Sequence, residues 1–457
     1  MILKYLNITL LLVGTLLFSA CSYSKIDLEK VKNPDLPNKY NSIDENLSIN
    51  ENWLMEFNDD KLLKYVDKAL NNNLELKQAA LDIKIKQSEL NSTNSLFLPS
   101  ADLSINETRS GDFESSEISN SSSLSVGLKY ELDLWGKLSD EQKRANKNLF
   151  GIKASYEEAK QKLVSDVVNN YYDIVEANKL IEIYKLNLQN AKNSLEIINK
   201  RYKQGLSTAL DVYNAKNSMN SQELKLNQSR ANKKLAIYKL EHLLGEYPKA
   251  LLSVNTKIPL LTSKINIGVP SELIFRKASL NTSWNSLLAK DYSLAIAHKN
   301  RFPSLNLSAN ISENLSSSSP TSWSLIGGIT APIFNAGLLK AKEDVAFYEL
   351  KKAELSYLND IYTAFVEIES LVVNEDSLKN EYILNLNNNK NTKISLELAM
   401  SQYLKGLSEY INVISSQDSF FNSKANLVQT KIKIIKNKIS LHKALGGDFL
   451  EKKEENR

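Results

Sequence analysis

The sequence predicts an α+β membrane protein with internal duplication. We expect three chains to close a twelve-stranded transmembrane β-barrel, four strands from each, which continues as a long α-helical coiled-coil barrel. Three observations favour this fold class: a sequence pattern recurs about 200 residues later, long stretches lack proline, and short stretches alternate between apolar and polar residues. The 457 residues, 42% of them apolar, are enough for a large buried core.

Composition argues against several classes of function. The chain has one cysteine, so neither a disulfide framework nor a cysteine metal cluster is possible within one chain. Three histidines and four methionines are few ligands for a transition metal, and we expect no metal or other cofactor. The net charge of +4 is too balanced for a nucleic-acid binder. No phosphate-binding glycine loop or catalytic constellation occurs, so we expect no enzyme.

The amino terminus has the features of a secretory signal. Within residues 1–20, Lys4 precedes an apolar stretch of about 12 residues, which is too short to span a membrane. The segment Leu17–Ala20 before Cys21 resembles a bacterial lipoprotein box. That resemblance implies that the thiol of Cys21 is acylated, and Ser22 beside it implies an outer-membrane destination. The alternative is an ordinary signal peptide with an incidental cysteine.

The chain is internally duplicated. The sequence YKQGLS at residues 202–207 recurs as YLKGLS at residues 403–408, an offset of 201. The same offset carries Gly136 onto Gly337. Because one ungapped register joins these positions, we interpret the chain as two copies of a unit of about 200 residues.

Within each copy, alternation predicts a pair of strands with one apolar and one polar face. The alternating apolar positions lie in 101–105 and 124–134 of the first copy, and in 305–311 and 323–333 of the second. Segment 109–122 is rich in serine and asparagine and is predicted to be a loop. Strands of about 9–12 residues suit tilted transmembrane strands.

A very long helical hairpin is predicted after each pair of strands. Proline, which breaks helices, is absent from residues 100–247 and 333–457. Apolar residues there recur at steps of three and four, the coiled-coil pattern. Gly205 and Gly406 are predicted to turn the chain, and the following serines, Ser207 and Ser408, are predicted to be helix N-caps. A single helix through each glycine is the alternative.

Four strands cannot close a barrel, which leads to the prediction of a trimer. An open sheet in lipid leaves backbone groups unpaired at several kcal/mol each. Twelve strands would close the sheet around an aqueous lumen, with the polar face inside and the apolar face toward lipid. The alternative is a soluble β-sandwich on a coiled-coil stalk, in which the apolar faces form a dry core.

Several motifs carry a family resemblance: WLMEFNDDKL at 53–62, ALNNNLEL at 69–76, ELDLWGK at 131–137, GVPSEL at 268–273 and PIFNAG at 332–337. They resemble the TolC-like outer-membrane efflux protein family, in particular its lipoprotein (OprM- or NodT-like) branch, over essentially the whole mature chain. The most specific match is the strand-to-helix motif, with Asp133, Trp135 and Gly136 in the first copy and Gly337 in the second. Residues 276–279 depart from the family pattern, which has Arg-Arg-Pro-Asp there.

The resemblance implies a homotrimeric duct, lipid-anchored in the bacterial outer membrane, spanning it and extending into the periplasm, with a mixed equatorial domain. The implied partners are a periplasmic adaptor protein, a proton-driven inner-membrane pump and outer-membrane lipid. The implied function is the exit duct of a tripartite efflux system, which passes drugs or other small solutes and does no chemistry itself. The alternatives are a type I protein-secretion duct and a structural stalk that transports nothing.

The predicted domain boundaries follow from the repeats. They are a signal peptide at 1–20, a lipidated segment and equatorial belt at 21–58, a first repeat at 59–245, an equatorial linker at 246–270, a second repeat at 271–446 and a tail at 447–457. Within the repeats, we expect strand hairpins at about 100–134 and 303–333, and long helical hairpins at 138–245 and 338–446.

The resemblance also implies two sets of functional residues. The adaptor would dock at the helical turns, at Gly205, Leu206, Ser207, Gly406, Leu407 and Ser408. Candidates for the periplasmic entrance are Tyr202, Asp211, Tyr403, Asn412, Ser415 and Asp418. The family often carries aspartate rings where this chain has Asn412 and Ser415, so an acidic ring is absent there. The alternative for Asp418 is a solvated surface residue.

Overall fold

The computed structural model of the chain describes residues 26–32, 40, 52–111, 113, 118–259, 270–316, 320–447 and 449. The predicted signal peptide, Cys21 and most of the predicted tail lie outside these residues. The elements in chain order are α1 Leu28–Lys32, a short 3-10 helix Trp53–Phe57, α2 Asp60–Asn72, α3 Leu74–Ser95, β1 Ser100–Gly111, β2 Ile118–Leu132, α4 Lys137–Lys203, α5 Ala209–Leu243, α6 Pro270–Arg276, α7 Ala278–Lys299, β3 Ser304–Asn314, β4 Ser322–Thr330, α8 Leu338–Leu404 and α9 Tyr410–Ala444.

The internal duplication is confirmed by the lengths of the helices. Helices α4 and α8 each have 67 residues, and α5 and α9 each have 35. Both long helices end two residues before the turn glycines, at Lys203 and Leu404, so the alternative of one continuous helix is wrong. Among the described residues, no helix is both long and apolar enough to cross a membrane.

The four described strands form one antiparallel sheet in the order β1-β2-β3-β4. The pairing of β2 with β3 joins the two repeats, with Val126 opposite Ile311. The register places the predicted apolar positions that lie within the four strands on one face, whereas Leu134, Ala331 and Ile333 follow the ends of β2 and β4. The predicted positions on this face are Ala101, Leu103, Ile105, Leu124, Val126, Leu128, Tyr130, Leu132, Leu305, Leu307, Ala309, Ile311, Trp323, Leu325, Gly327 and Ile329. Toward the connection between β1 and β2 the same face also carries Glu107, Arg109, Asn120, Ser122 and Glu313.

The first strand hairpin is longer than the sequence pattern predicts. Segment 109–122 was predicted to be a loop, yet β1 extends to Gly111 and β2 begins at Ile118, with Ser110 opposite Ser119. The apolar alternation stops in this segment because both faces become polar. Backbone pairing continues regardless, since it depends on N–H and C=O groups that every residue but proline carries.

Contacts divide the chain into two compact units. The first contains the described residues of 1–35, 81–155 and 279–360, and thus the whole sheet. The second contains those of 36–80, 156–278 and 361–457, and thus both helical turns. Each long helix contributes residues to both units.

In the second unit, a core forms where the 3-10 helix and α2 pack on the long helices. Its fully buried members each contribute about 1.5–3 kcal/mol by leaving water. The largest of these side chains include Leu54, Leu62, Tyr171, Tyr172, Leu240 and Leu244. Trp53 of the same core stacks on His442 of α9, with ring centroids 5.3 Å apart and planes 10° apart.

The described part of the predicted equatorial linker, residues 246–259, is fastened to the first repeat by hydrogen bonds at residues 249–251 and 255. The buried carboxylate of Glu241 accepts backbone hydrogen bonds from Lys249, Ala250 and Leu251 at 2.7–3.0 Å. Burial tends to raise the pKa of Glu241, but these hydrogen bonds outweigh it and hold that pKa below its ordinary value. Farther along, the Asn255 amide donates to Asp59, the N-cap of α2, at 2.8 Å.

Candidate functional site

The turn between α4 and α5 is a glycine-terminated helix end. Gly205 has φ +74°, and the N–H of Leu206 donates to the carbonyl of Arg201 at 2.9 Å. This backbone pattern closes a helix with a left-handed residue, for which glycine is best suited. No described atom lies within 4 Å of a Cβ added at Gly205, and the Leu206 side chain is 60% exposed. The turn therefore presents an apolar side chain beside open backbone.

The turn between α8 and α9 repeats this geometry. Gly406 has φ +75°, the N–H of Leu407 donates to the carbonyl of Gln402 at 2.9 Å, and Leu407 is 75% exposed. A Cβ added at Gly406 also finds no described atom within 4 Å. The six residues predicted for docking thus form two matching turns, both in the second unit.

The N-caps differ from the prediction by one residue. Thr208, not Ser207, caps α5, and Glu409, not Ser408, holds the cap position of α9. Ser207 instead donates to Asp211 at 2.9 Å, and Ser408 accepts from the Asn412 amide at 3.0 Å. Three non-helical residues follow each turn glycine: the leucine, the serine and the cap residue. Each helix therefore starts one residue later than predicted.

Asp211 completes the cap of α5. Its carboxylate accepts hydrogen bonds from Ser207 and from the backbone N–H and hydroxyl of Thr208, all at 2.9–3.0 Å. Although burial acts to raise the pKa of Asp211, these hydrogen bonds hold it below its ordinary value. The carboxylate is therefore ionised, and the hydrogen bonds that it accepts all come from residues at the start of its own helix.

The two tyrosines predicted for the entrance have different environments. Tyr202 is 48% exposed, whereas Tyr403 is 6% exposed and packs against Tyr410, with ring centroids 5.3 Å apart. The guanidinium of Arg201 lies 5.0 Å from the centre of the Tyr403 ring, a cation–π contact between the two repeats. Tyr403 therefore joins the turns through packing, and Tyr202 remains at the surface.

Asp418 belongs to a network of buried amides. Its carboxylate accepts from the Gln222 amide at 2.9 Å, and Gln222 accepts from Asn187 at 2.6 Å. Gln417 in turn donates to Asn187 at 3.0 Å. Asn187, Gln222 and Gln417 are buried, so this network of four side chains joins α4, α5 and α9 inside the helical bundle. Buried polar groups of this kind specify the register between helices. Ser415 lies nearby in sequence, and its carbonyl accepts from Ser419.

The strand-to-helix motif, in the first unit, is a joint between the repeats. Asp133 caps α4 by accepting from the backbone N–H groups of Leu138 and Ser139, each at 2.9 Å. The Trp135 indole donates to the carbonyl of Pro303, just before β3, at 2.6 Å. Gly136 has φ +72°, and its carbonyl accepts from the Lys299 ammonium at 3.1 Å. Gly337, with φ +86°, takes the same backbone conformation in the second copy.

Sequence reasoning missed two of these features. The amide network could have been noticed because Asn187 and Gln222 fall within helices of apolar periodicity, but no local signal names their partners. A second missed feature is the buried carboxylate of Glu343 in the first unit, which contacts His298 at 3.1 Å and Arg301 at 2.6 Å.

Comparison with known proteins agrees with this architecture. A sequence profile of the family described as "Outer membrane efflux protein" matches residues 65–246 and again residues 269–447, so the profile covers most of the chain in two copies. The chain belongs to this family, and it is an outer-membrane efflux protein.

Two curated relatives and one solved structure illustrate the relationship. The chain is 25% identical over 365 residues to the cation efflux system protein CusC of Escherichia coli O6:H1, covering 78% of this chain and 79% of CusC. It is 24% identical over 418 residues to the pyoverdine export outer membrane protein OpmQ of Pseudomonas aeruginosa, covering 88% of both. The fold matches the crystal structure of the Campylobacter jejuni CmeC outer membrane channel with a TM-score of 0.81 and 23% identity, covering 95% of this chain and 94% of CmeC.

Proposed function

We propose that three copies of the chain form the outer-membrane exit duct of a tripartite efflux system. The observation that carries this proposal is the four-stranded sheet with one face that is apolar over most of its length, in a chain of the outer membrane efflux protein family. Strands β1 and β4 are its edges, and their unpaired backbone groups need partners in lipid. Three sheets joined edge to edge supply those partners and enclose a lumen.

The helical turns are the proposed contact for a periplasmic adaptor, which would connect the duct to a proton-driven inner-membrane pump. Leu206 and Leu407 are exposed apolar side chains beside glycines that leave space for an approaching helix. Apolar anchors in such settings are typical of protein–protein contacts. The proposed entrance includes Tyr202, Asp211, Tyr403, Asn412, Ser415 and Asp418. It has asparagine at 412 and serine at 415, where the family often carries rings of aspartate.

A deletion strain tests the proposed function. Cells without the protein are expected to accumulate drugs or fluorescent dyes that the parent strain expels, and expression of the protein from a plasmid restores export. Unchanged accumulation, together with loss of one or more secreted proteins, would instead support the type I secretion duct. Unchanged accumulation and secretion would support the structural stalk.

Replacing Gly406 by glutamate is expected to reduce export to the level of the deletion strain, with the trimer intact. The left-handed backbone at Gly406 makes any side chain cost about 1 kcal/mol, too little to unfold the protein. A charged side chain at the proposed contact, however, loses its water when the adaptor binds, which costs free energy, or it keeps its water and prevents the adaptor from binding. Dye export and crosslinked trimer are the measurements.

Gly406→Ala is the matched control, because alanine bears the same backbone strain without bulk or charge. We expect this variant to keep most of the export activity. Wild-type export by the Gly406→Glu variant would remove this turn from the proposed contact.

We also propose that Cys21 is the lipidated first residue of the mature chain. The support is the lipoprotein box before it, and acyl chains contribute about 0.8 kcal/mol of membrane binding per buried methylene. The mass of the intact purified protein is expected to show loss of residues 1–20 and addition of acyl chains. A mature chain with an unmodified thiol would refute this assignment.

A further inference from the structure

The face of the sheet opposite the apolar face carries almost no charge. Its residues in the described strands are Ser100, Asp102, Ser104, Asn106, Thr108 and Ser110 of β1, Ser119, Ser121, Ser123, Ser125, Gly127, Lys129 and Glu131 of β2, Ser304, Asn306, Ser308, Asn310, Ser312 and Asn314 of β3, and Ser322, Ser324, Ile326, Gly328 and Thr330 of β4. Hydroxyl and amide groups dominate this surface.

Each of the three charged residues on this face has a partner of opposite charge. The Glu131 carboxylate bonds to the ammonium of Lys137, the first residue of α4, at 2.5 Å. The Lys129 ammonium lies 3.7 Å from the Asp102 carboxylate of the neighbouring strand. Counted together with Lys137 of α4, the charged groups of the described part of this face therefore sum to zero.

The Asp102–Lys129 pair differs from the other pair in its exposure. The side chain of Lys129 is 72% exposed and that of Asp102 is 63% exposed, whereas Lys137 and Glu131 are 24% and 34% exposed. Strand β3 places Ser308 opposite Lys129, and the described residues of β4 on this face are uncharged, so a neighbouring sheet adds no charge at the edge of β1. This pair therefore dominates the local electrostatic potential of the surface.

We propose that the Asp102–Lys129 pair holds the barrel section of the duct neutral, so that this section admits cationic, anionic and uncharged solutes alike. This inference rests on the proposed trimeric duct, in which the polar face lines the lumen. Charged rings select ions by sign, and here three carboxylates and three ammonium groups at one level cancel each other. Hydroxyl and amide groups offer donors and acceptors to any polar solute without favouring either charge. The class of substrate is therefore small polar solutes of either sign.

Reversal potentials in planar bilayers test the inference on the intact purified protein. At about 0.1 M salt the Debye length is about 10 Å, so a lumen charge still acts on passing ions. Across a potassium chloride gradient, we expect Lys129→Gln to raise the K⁺/Cl⁻ permeability ratio and Asp102→Asn to lower it, each by about twofold or more. The double variant is expected to return to the wild-type ratio.

Glu107→Gln is the matched control, since residue 107 lies on strand β1 but on the opposite face. This control is expected to leave the permeability ratio unchanged. Ratios that stay at the wild-type value in both single variants, or move in the same direction, would overturn the inference and leave the efflux function standing. A wild-type protein that carries no current would overturn the inference, and normal dye accumulation in the deletion strain would overturn the proposed function.

Discussion

Replacing Gly245 with alanine is expected to destabilise the protein by about 3 kcal/mol or more, through strain and overpacking together. Gly245 follows α5 with φ +69°, a conformation that disfavours any side chain. A Cβ at this position would lie 2.6 Å from the backbone carbonyl oxygen of Asn72, at the end of α2. Since backbone atoms cannot rotate away as side chains do, α2 must shift. The thermal unfolding midpoint of the detergent-purified protein is the measurement.

Gly205→Ala provides the matched control for this prediction. Gly205 ends its helix with nearly the same φ, +74°, but no described atom lies within 4 Å of an added Cβ. Only the backbone strain remains, so we expect a loss of about 1 kcal/mol. Equal losses at the two positions would show that the close approach of α2 to Gly245 does not contribute to stability.

Acidification is expected to destabilise the protein through His442. This imidazole is buried against Trp53, and neither ring nitrogen has a hydrogen-bond partner among the described residues. Burial lowers the pKa of His442 to about 4; the Glu56 carboxylate opposes this shift and the Lys438 ammonium adds to it. The unfolded chain therefore binds this proton at a higher pH than the folded chain does.

The sign and size of the effect follow from these two pKa values. The contribution of neutral His442 is fully present above about pH 6.5, falls as the pH decreases, and is lost by about pH 4. The difference between the two pKa values corresponds to about 3 kcal/mol per chain. The free energy of unfolding in denaturant, measured over this range of pH, should show the loss.

His442→Gln is the control, because glutamine is polar and does not titrate. The stability of this variant should depend less steeply on pH between 6.5 and 4 than that of the wild type. Parallel pH profiles for the two proteins would mean that His442 does not carry the effect, and that carboxylates alone account for acid destabilisation.

The histidine case also shows how the two repeats diverged. At the repeat offset of 201, His442 corresponds to Glu241. Glu241 fastens the linker through three backbone hydrogen bonds, whereas His442 stacks on an indole. The sequence shows the substitution, but only the packing of the 3-10 helix on α9 explains why an aromatic ring is suited to this place.

Much of the fold could be predicted because its signals are local or strictly periodic. The turn glycines mark the ends of α4 and α8, and period-two alternation predicts both faces of the sheet. The predicted start of α4 at residue 138 is one residue from the observed Lys137. Where the periodic signal disappears, as in segment 109–122, the predicted loop was too long, because β1 and β2 continue into this segment and backbone pairing needs no apolar alternation.

The candidate site was predictable only in part. The turns with Gly205 and Gly406 were identified because their sequence recurs. Asp133 was identified as part of the strand-to-helix motif, but its role as the cap of α4 was not predicted. The roles of Asp211 and Asp418 were not predicted. One carboxylate closes its own helix cap and the other accepts from Gln222 across a helix interface. Such partners depend on the rotation of one helix against another.

The amino-acid sequence alone is sufficient for the duplication, the long helical hairpins, the two-faced strands and the membership of the family, since each arises from residues close together or evenly spaced in the chain. The partners of the polar side chains are a tertiary property. Asn187 meets Gln417 across 230 positions of sequence, and Asp102 meets Lys129 because the register of two strands brings them together. The sequence pattern determines which residues of a helix or strand lie on the same face, and packing determines which residues of other elements those residues contact.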